Sequence, residues 1–233
     1  MNIKSVSHDE RGIYKQVSVR AASTASEIYQ TVAAYSFEKG GIFMVVGPEK
    51  SGKSIVAIEL FEKREVDKQS GRRWVFAQPL LRNRIDVPEG KIFSRIGKEI
   101  KAVSFETKIE IERIFHDHEV VVVDEVQFIS PDLQSYFLQE AMLFVERGGV
   151  LVGLGLDYTS QGGEFIFPTL LKYRATKVYR QEAVCQMCGG VADKYCQRLI
   201  DSVPASIDTP AFLSPSVNVS YEPRCDNCFV VKK

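Results

Sequence analysis

The fold is decided by one stretch of sequence, residues 42–54, which reads Ile-Phe-Met-Val-Val-Gly-Pro-Glu-Lys-Ser-Gly-Lys-Ser. Its first part, 42–46, is an uninterrupted apolar run that predicts a strand buried on both faces of a sheet. Its second part, Gly47 to Ser54, fits the pattern G-x-x-x-x-G-K-[ST]. Between a strand and a helix, such a loop turns backbone N–H groups toward phosphate oxygens, and the helix N-terminus adds positive charge. The stretch therefore predicts a nucleotide-binding loop.

The residue types in this loop suit phosphate chemistry. The Lys53 ammonium group would reach the β- and γ-phosphates, and the Ser54 hydroxyl would ligate Mg²⁺. A glycine-rich turn without a ligand is the alternative, and the buried strand before the loop and the helix after it count against that alternative. We therefore predict that ATP and Mg²⁺ bind here. The loop residues assigned to them are Gly47, Lys50, Ser51, Gly52, Lys53 and Ser54.

Apolar runs and helical patterns alternate along most of the chain. Strands are predicted at 42–46, 74–77, 120–123, 150–156 and 178–179, and helices at 22–38, 53–69, 105–117 and 130–147. Because each strand is nearly continuous in Val, Ile and Leu, the sheet should be parallel and covered on both faces. The predicted fold class is α/β, with a parallel-sheet core like that of P-loop NTPases.

The sequence divides into three predicted segments. Residues 41–184 hold the α/β core, and after about residue 184 the helical periodicity fades while Cys, Pro, Ser and Asp become more frequent. Residues 1–40 are an N-terminal extension that is either a partner-binding arm or an extra packed helix, and we favour the helix. Thr24 and Glu27 have the spacing of a capping box, which predicts a helix start near residue 22 after a stretch without clear period.

Two acids follow the predicted strand Val120–Val123. Asp124 lies where P-loop proteins hold Mg²⁺, usually through water. Glu125 projects to the other side, toward the crevice at the carboxyl ends of the strands, where a carboxylate can take a hydroxyl proton or orient a water molecule. A solvated strand end is the alternative, since acids are common there. With the phosphate loop upstream, we predict a Mg²⁺ role for Asp124 and a general-base role for Glu125.

Four of the five cysteines form two C-x₂-C pairs separated by 36 residues. Two such pairs match a tetrahedral structural Zn²⁺ site with four thiolate ligands. Residues 185–233 are therefore a predicted zinc-binding domain, and the insert between the pairs is a loop anchored at its base by metal. The fifth cysteine, Cys196, is predicted to be an ordinary small core residue. The predicted ligands are Cys185, Cys188, Cys225 and Cys228.

Composition excludes several classes of protein. The 233 residues include 30 basic and 30 acidic side chains, so the chain lacks the excess of cations with which duplex-DNA binders displace counterions. No window approaches the roughly 18–20 consecutive apolar residues of a membrane helix. Five cysteines are too few for a disulfide scaffold. We expect a soluble cytoplasmic protein without duplex nucleic acid or membrane as a partner.

Taken together, these motifs resemble the type II thymidine kinase family from about Gly41 to the C-terminus. The loop corresponds to that family's phosphate loop, and Asp124-Glu125-Val126-Gln127-Phe128 resembles its D-E-A-Q-F motif. Gly155-Leu156-Asp157 followed by Phe165 is similar to its G-L-D segment. The most specific likeness is in the tail, where three segments follow the family's zinc domain, namely 192–199, 204–206 and 221–225.

The resemblance implies a reaction and roles for particular residues. The family transfers the γ-phosphoryl group of ATP to the 5′-hydroxyl of thymidine, which implies Glu125 as the general base and Lys53 and Arg84 as further catalytic residues. The zinc-domain insert would hold a lasso that closes over the nucleoside as a lid, and the assembly would be a homotetramer. The residues expected to bind the nucleoside are Phe128, Leu156, Phe165 and Tyr221.

Several positions depart from the family pattern, and they cluster on the nucleoside side. Glu49 and Lys50 stand where Met-Phe is usual, Arg82 replaces an acid, and Ser160 replaces an aromatic residue. Losing one stacking aromatic removes roughly 1 kcal/mol of base binding beyond its area. Two alternatives stay open for this reason. One is a kinase for a different acceptor, such as a modified nucleoside or a nucleotide, and the other is a non-catalytic nucleotide-binding interaction module.

Overall fold

A sheet of six parallel strands forms the centre of the molecule. The computed structural model describes residues 8–35, 39–66, 71–80, 89–209 and 218–232. The helices are α1 (His8–Ala34), α2 (Lys53–Val66), α3 (Lys108–His116), α4 (Pro131–Glu146) and α5 (Ile166–Arg174). The strands are β1 (Gly41–Val46), β2 (Trp74–Pro79), β3 (Lys91–Phe93), β4 (Glu99–Lys101), β5 (Val103–Phe105), β6 (Val120–Val123), β7 (Val150–Gly155), β8 (Lys177–Arg180), β9 (Ala183–Val184), β10 (Val191–Ala192), β11 (Tyr195–Ile200), β12 (Val203–Pro204) and β13 (Val219–Arg224).

The central sheet has the strand order β5-β2-β6-β7-β1-β8 and is covered on both faces. Along β1, Phe43 and Val45 belong to the apolar cluster under α1 and α2, while Ile42, Met44 and Val46 belong to the cluster under α3, α4 and α5. This alternation is the two-residue period of a strand, and both sides are apolar because both sides are buried. The predicted parallel α/β core is confirmed.

The region between β2 and α3 contains more regular structure than the sequence predicted. Strands β3 and β4 pair as an antiparallel hairpin, and β5 adds an edge strand beside β2. The predicted helix over 105–117 begins at Lys108 instead. Thr107 and Glu110 form a capping box there, a sequence signal that the prediction missed. The hairpin strands are only three residues long, too short for a two-residue period to stand out.

Helix α5 was also missed by the sequence prediction, which assigned no element between residues 157 and 177. Phe167, Pro168 and Leu171 are its buried side chains. A nine-residue helix with a proline in its first turn shows its buried face only two or three times, which is a weak periodic signal. The helix begins directly after Phe165, where the loop that follows β7 ends.

The N-terminal helix α1 begins at His8, so the prediction of a start near residue 22 is wrong. The expected capping box does not form, because Thr24 and Glu27 lie inside the helix rather than at its start. Gln181 Nε2 instead donates to Thr24 Oγ1 at 2.7 Å, and the Glu27 carboxylate accepts from Lys177 and from the Tyr179 hydroxyl. Helix α1 packs against the apolar cluster of the sheet, while its assignment as a separate N-terminal extension stays a prediction. Its buried stripe consists of small and branched residues, namely Val17, Ala21, Ala25, Ile28 and Val32.

The described part of the C-terminal region, which we call the lid, comprises residues 185–209 and 218–232. Its three-stranded sheet has the order β12-β11-β13. Hydrogen bonds that tie it to the core include those from Arg180 Nη1 to the Asp193 carbonyl at 2.8 Å and from Gln161 Nε2 to the Ile207 carbonyl at 2.7 Å. The boundary after residue 184 stays a prediction. Among the described residues, no helix combines the length and apolar character needed to span a bilayer.

Candidate active site

The phosphate loop joins β1 to α2 and is closely packed against neighbouring elements at both ends. Gly47 has a φ of 153°, and a Cβ there would lie 2.2 Å from the carbonyl oxygen of Gln181. Gly52 has a φ of 89°, and a Cβ there would lie 2.7 Å from Cγ1 of Val17 in α1. Glycine is required at both positions because a side chain would meet both an unfavourable backbone angle and a neighbouring atom. The loop is therefore packed against the end of β8 and against α1.

The Lys53 side chain folds back along this loop. Its Nζ donates to the carbonyl oxygens of Gly47 at 2.9 Å and Pro48 at 2.7 Å, and the residue is 9% exposed. Burial lowers the pKa of Lys53, whereas the negative charges of Glu125 and Asp124 act in the opposite direction. The ammonium group is thus buried beside two acids at the loop, the position from which a P-loop lysine contacts phosphate oxygens.

Ser54 and Asp124 meet at the carboxyl end of β6. The Ser54 hydroxyl donates to Asp124 Oδ2 at 2.7 Å. Burial, and then the neighbouring Glu125 charge, raise the pKa of Asp124 to about 7, while the Ser54 hydrogen bond opposes the shift. A hydroxyl and a carboxylate side by side are hard oxygen ligands of the kind Mg²⁺ prefers. The pair fits a Mg²⁺ site, because a bound cation would favour the charged carboxylate that burial disfavours.

Glu125 leaves the strand in a left-handed conformation, with a φ of 58°. Its backbone N–H donates to Asp124 Oδ1 at 2.9 Å, and its carboxylate accepts a hydrogen bond from Gln127 Nε2. Left-handed backbone costs a non-glycine residue roughly 1–2 kcal/mol. The two acids therefore diverge, with Asp124 directed at Ser54 and the half-buried Glu125 directed at Gln127.

The four predicted nucleoside-binding residues come from four different elements. Phe128 ends a short 3₁₀ helix next to Glu125 and is 38% exposed. Leu156 follows β7, and its backbone N–H donates to Gln127 Oε1 at 3.0 Å. Phe165 precedes α5, and Tyr221 lies in β13 of the lid. Phe128 is connected to Glu125 directly, through a backbone hydrogen bond, and Leu156 is connected to it through Gln127. Phe165 and Tyr221 are half-buried on separate elements.

The tip of the phosphate loop carries charges that are bound by other parts of the molecule. Glu49 accepts a hydrogen bond at 2.6 Å from Nη2 of Arg95, which lies in the turn between β3 and β4. Lys50 has a φ of 64°, and its Nζ donates to Gln186 Oε1 of the lid at 3.0 Å. Burial, and then the Arg95 charge, lower the pKa of Lys50. Cys196 is buried beside this tip, which agrees with its predicted place in a core.

Asp157 is a buried anchor that sequence reasoning did not assign. It is 0% exposed, and its Oδ2 contacts Lys172 Nζ at 3.1 Å and Arg180 Nη2 at 2.6 Å. Burial alone would lower the pKa of Arg180, but the hydrogen bond and charge of Asp157 raise it. Because Arg180 also donates to the Asp193 carbonyl, this cluster links the end of β7, α5 and β8 to the lid. Its role is to hold the loop that carries Leu156 and Phe165.

The four predicted zinc ligands are brought together at the base of the lid. Their Sγ atoms all lie within 4.8 Å of one another, and Cys188 Sγ and Cys225 Sγ are 3.6 Å apart. Four thiolates around Zn²⁺ at Zn–S distances of about 2.3 Å lie about 3.8 Å from each other, so the cluster fits the ion. Burial opposes ionisation of the Cys185 thiol, yet backbone N–H groups, led by that of Cys225, lower its pKa to about 6.

Arg82 and Arg84 lie outside the described residues, so the predicted transition-state role of Arg84 stays a prediction. Gln127 and Gln181 are functional neighbours that sequence reasoning did not assign. Gln127 was visible as part of the D-E-V-Q-F motif, but its partners Glu125 and Leu156 are known only from the fold. Gln181 carried no sequence signal, because its contact with Gly47 joins two strands far apart in the chain.

The parallel sheet, the glycine-bounded loop and the Ser54–Asp124 pair define a P-loop nucleotide-binding protein. The family model for thymidine kinase matches residues 40–229, which is most of the chain. The protein therefore belongs to the thymidine kinase family, and the resemblance found in its motifs is confirmed. Membership of this family is one basis of the function proposed below.

Several solved structures show weak similarity to this chain. Domain III of the replication initiation protein DnaA from Thermotoga maritima has a TM-score of 0.44 and 9% identity, over 71% of this chain and 62% of that one. AMPPCP-bound DnaA from Aquifex aeolicus has a TM-score of 0.38 and 13% identity, over 67% and 44%. The Legionella pneumophila ATPase DotB has a TM-score of 0.37 and 12% identity, over 68% and 45%. This chain spans less than two thirds of each, and we draw no functional argument from them.

Proposed function

We propose that this protein transfers the γ-phosphoryl group of ATP to the 5′-hydroxyl of thymidine. The observation that carries the proposal is the divergence of two acids beside the phosphate loop. Asp124 accepts from Ser54, whereas Glu125 is turned by its left-handed backbone toward Gln127 and the segment after β7. One acid is thereby available for the metal and the other for the acceptor. Membership of the thymidine kinase family supports the same division.

On the donor side, the side chains bind and orient ATP. Lys53 and the loop N–H groups would hold the β- and γ-phosphates, and Ser54 and Asp124 would hold Mg²⁺. Mg²⁺, when bound, neutralises the charge that develops on the phosphate oxygens. Most of the catalysis expected from these residues is positioning and electrostatic stabilisation, because the transferred group needs little covalent help from the protein.

On the acceptor side, Glu125 would take the proton of the 5′-hydroxyl. The 5′-oxygen forms a bond to the γ-phosphorus as the bond from that phosphorus to the β,γ-bridging oxygen breaks. The products are thymidine 5′-monophosphate and ADP, and Glu125 then releases its proton to water. Arg84 would neutralise transition-state charge, and Phe128, Leu156, Phe165 and Tyr221 would wall the base.

A kinase for a different acceptor is the second candidate, and the charged tip of the phosphate loop favours it. Glu49, paired with Arg95, and Lys50 present polar groups near the site. An acceptor with a polar or anionic substituent would find partners there. The homotetramer, the cytoplasmic location and the lack of duplex nucleic acid or membrane partners stay predictions.

The acceptor is identified by incubating the protein with labelled ATP and a panel of nucleosides and nucleotides. Labelled product from thymidine supports the first proposal. Product only from another acceptor supports the second candidate. If the panel yields no product while ATP binds, the protein is a non-catalytic nucleotide-binding module.

The general base is tested with Glu125→Gln, which keeps the size of the side chain and removes its basicity. We expect turnover to fall by about 10²- to 10⁴-fold, the usual contribution of a positioned general base, while ATP binding is retained. Turnover would be measured under saturating substrates and ATP binding by equilibrium titration. Full activity in this variant would contradict the assignment.

A further inference from the structure

The side-chain amide of Gln127 bridges the predicted general base and the wall of the acceptor site. Its Nε2 donates to Glu125 Oε2, and its Oε1 accepts from the backbone N–H of Leu156 at 3.0 Å. We propose that Gln127 is a positioning residue that holds the Glu125 carboxylate in its working direction and couples it to the segment 155–156. This inference rests on the proposed function, in which Glu125 takes the acceptor proton.

The orientation of this amide follows from its partners. The backbone N–H of Leu156 can only donate, so the Gln127 atom that faces it must be the carbonyl oxygen. The amide nitrogen then faces the Glu125 carboxylate, which can only accept when it is ionised. Both ends of the amide are satisfied in this orientation, and a flipped amide would leave both contacts repulsive. The bridge therefore fixes the direction of the Glu125 carboxylate relative to Leu156.

The space around the amide keeps it in place. Gln127 is 6% exposed, so its side chain cannot swing into solvent. A Cβ at Gly155 would lie 2.3 Å from Gln127 Oε1 and 2.9 Å from Cγ2 of Val126. Glycine at 155 is thus needed for the amide to approach the strand end. Removing a hydrogen-bond partner costs more free energy for a buried polar group than for an exposed one, because water cannot replace the partner.

The Glu125 side chain needs such a guide because its backbone leaves the strand at an unusual angle. Its left-handed conformation directs the side chain away from β6, and the Asp124 Oδ1 contact fixes only its backbone N–H. Among the described residues, Gln127 is the hydrogen-bond donor that orients this carboxylate. A catalytic base that is misplaced by about 1 Å can lose about 10²-fold in rate.

The test compares two glutamines that share the same chemistry and differ in their partners. Gln127→Met removes the amide and keeps the length of the side chain. Gln134→Met is the matched control, because Gln134 Nε2 donates to the Ile129 carbonyl at 2.9 Å and does not contact Glu125. We expect Gln127→Met to lower kcat by about 10- to 100-fold, because one hydrogen bond to a charged group is lost. KM for ATP should change less than about twofold. Gln134→Met should change kcat less than about twofold.

A double-mutant cycle separates positioning from a general structural effect. In a Glu125→Ala background there is no carboxylate to orient, so Gln127→Met should change the residual rate less than about twofold. An equal loss in both backgrounds, or a loss expressed only in KM for ATP, would overturn the proposal. Full activity of Glu125→Ala would instead overturn the proposed function, so the two failures are distinguishable.

Folding is monitored by thermal unfolding and ATP binding in every variant. If Gln127→Met does not fold, Gln127→Glu replaces it. That variant still accepts from the Leu156 N–H but presents a carboxylate to Glu125, and we expect the same fall in kcat. Normal turnover by a folded Gln127→Glu would show that the donated hydrogen bond is dispensable.

Discussion

The donor side and the acceptor side of this site are built in different ways. On the donor side, Lys53, Ser54 and Asp124 come from two elements, α2 and the end of β6, and bond to the loop backbone or to each other. On the acceptor side, the predicted residues are spread over a 3₁₀ helix, two loops and the lid. The geometry of the donor side depends on the backbone of the phosphate loop, whereas the acceptor side depends on side chains that lie on connecting segments.

This difference has a consequence for specificity. A donor site that requires glycine at Gly47 and Gly52 tolerates little change, because each position is in contact with a neighbouring element. Side chains on loops can change without disturbing the sheet. Ser160, a departure from the family pattern, lies on such a connecting segment, between β7 and α5. We therefore expect substitutions on the donor side to abolish turnover, and substitutions in the lid to change metal content or thermal stability.

The largest effect is expected from Lys53→Met on the donor side. Removing the buried ammonium group should lower turnover by about 10³-fold, the upper range for one electrostatic stabiliser of the transition state. Lys63→Met, near the end of the same helix, is the control and should keep normal turnover. Steady-state kinetics with saturating ATP measure both. If Lys53→Met kept more than a tenth of the activity, the donor side would not be organised around this residue.

A change of metal content is expected from Cys185→Ser in the lid. Zn²⁺ should fall from about one ion per chain to near zero, because a Cys₄ site needs all four thiolates. Cys196→Ser is the control and should retain the ion, since Cys196 is not part of the cluster. Metal analysis of purified protein checks this, together with ATP binding, which the donor side should preserve. Zinc-free wild-type protein that is fully folded would contradict the assignment.

The smallest effect is expected at Cys196, where the lid meets the phosphate loop. Burial, and then the Glu49 charge, raise the pKa of this thiol to about 12. An unfolded thiol has a pKa of about 8.5, so the fold favours the protonated form of Cys196. The resulting contribution to the free energy of unfolding is fully present below a pH of about 8.5 and is lost as the pH rises toward 12.

We expect Tm of the wild-type protein to fall about 4–8 °C further between pH 7 and pH 10 than Tm of Cys196→Ala. Thermal unfolding followed by circular dichroism at both pH values gives the comparison. Equal falls in the two proteins would mean that the thiol ionises freely in the fold.

Local sequence patterns predicted most of the core and the donor side. The run 42–54 specified a strand, a loop and a helix start, and the acids after Val123 marked the strand end. The grouping of the four cysteines was predicted from spacing alone, because a C-x₂-C pair is a local feature. Helix α1 was mispredicted for its first part because the described buried residues there are Val17 and Ala21, too few and too small to give a strong apolar period.

The remaining parts depend on contacts between distant segments. The partners of Glu27 lie on β8, and the partner of Thr24, Gln181, follows directly after it. Two residues with the spacing of a capping box therefore make tertiary contacts instead. Short elements such as β5 and α5 gain their stability from packing against the sheet rather than from propensity. A sequence signal of a few residues cannot reveal that.

By itself, the sequence determined the motifs of this protein: a phosphate loop, two acids after a buried strand, and four cysteines in two pairs. These motifs are short and their geometry is imposed by local backbone rules. Only the tertiary structure decided that Gln127 holds Glu125, that Gln181 and Val17 enclose the loop glycines, and that Asp157 links core to lid. Those contacts join residues far apart in the chain, and their energies exist only once packing has removed water from between them.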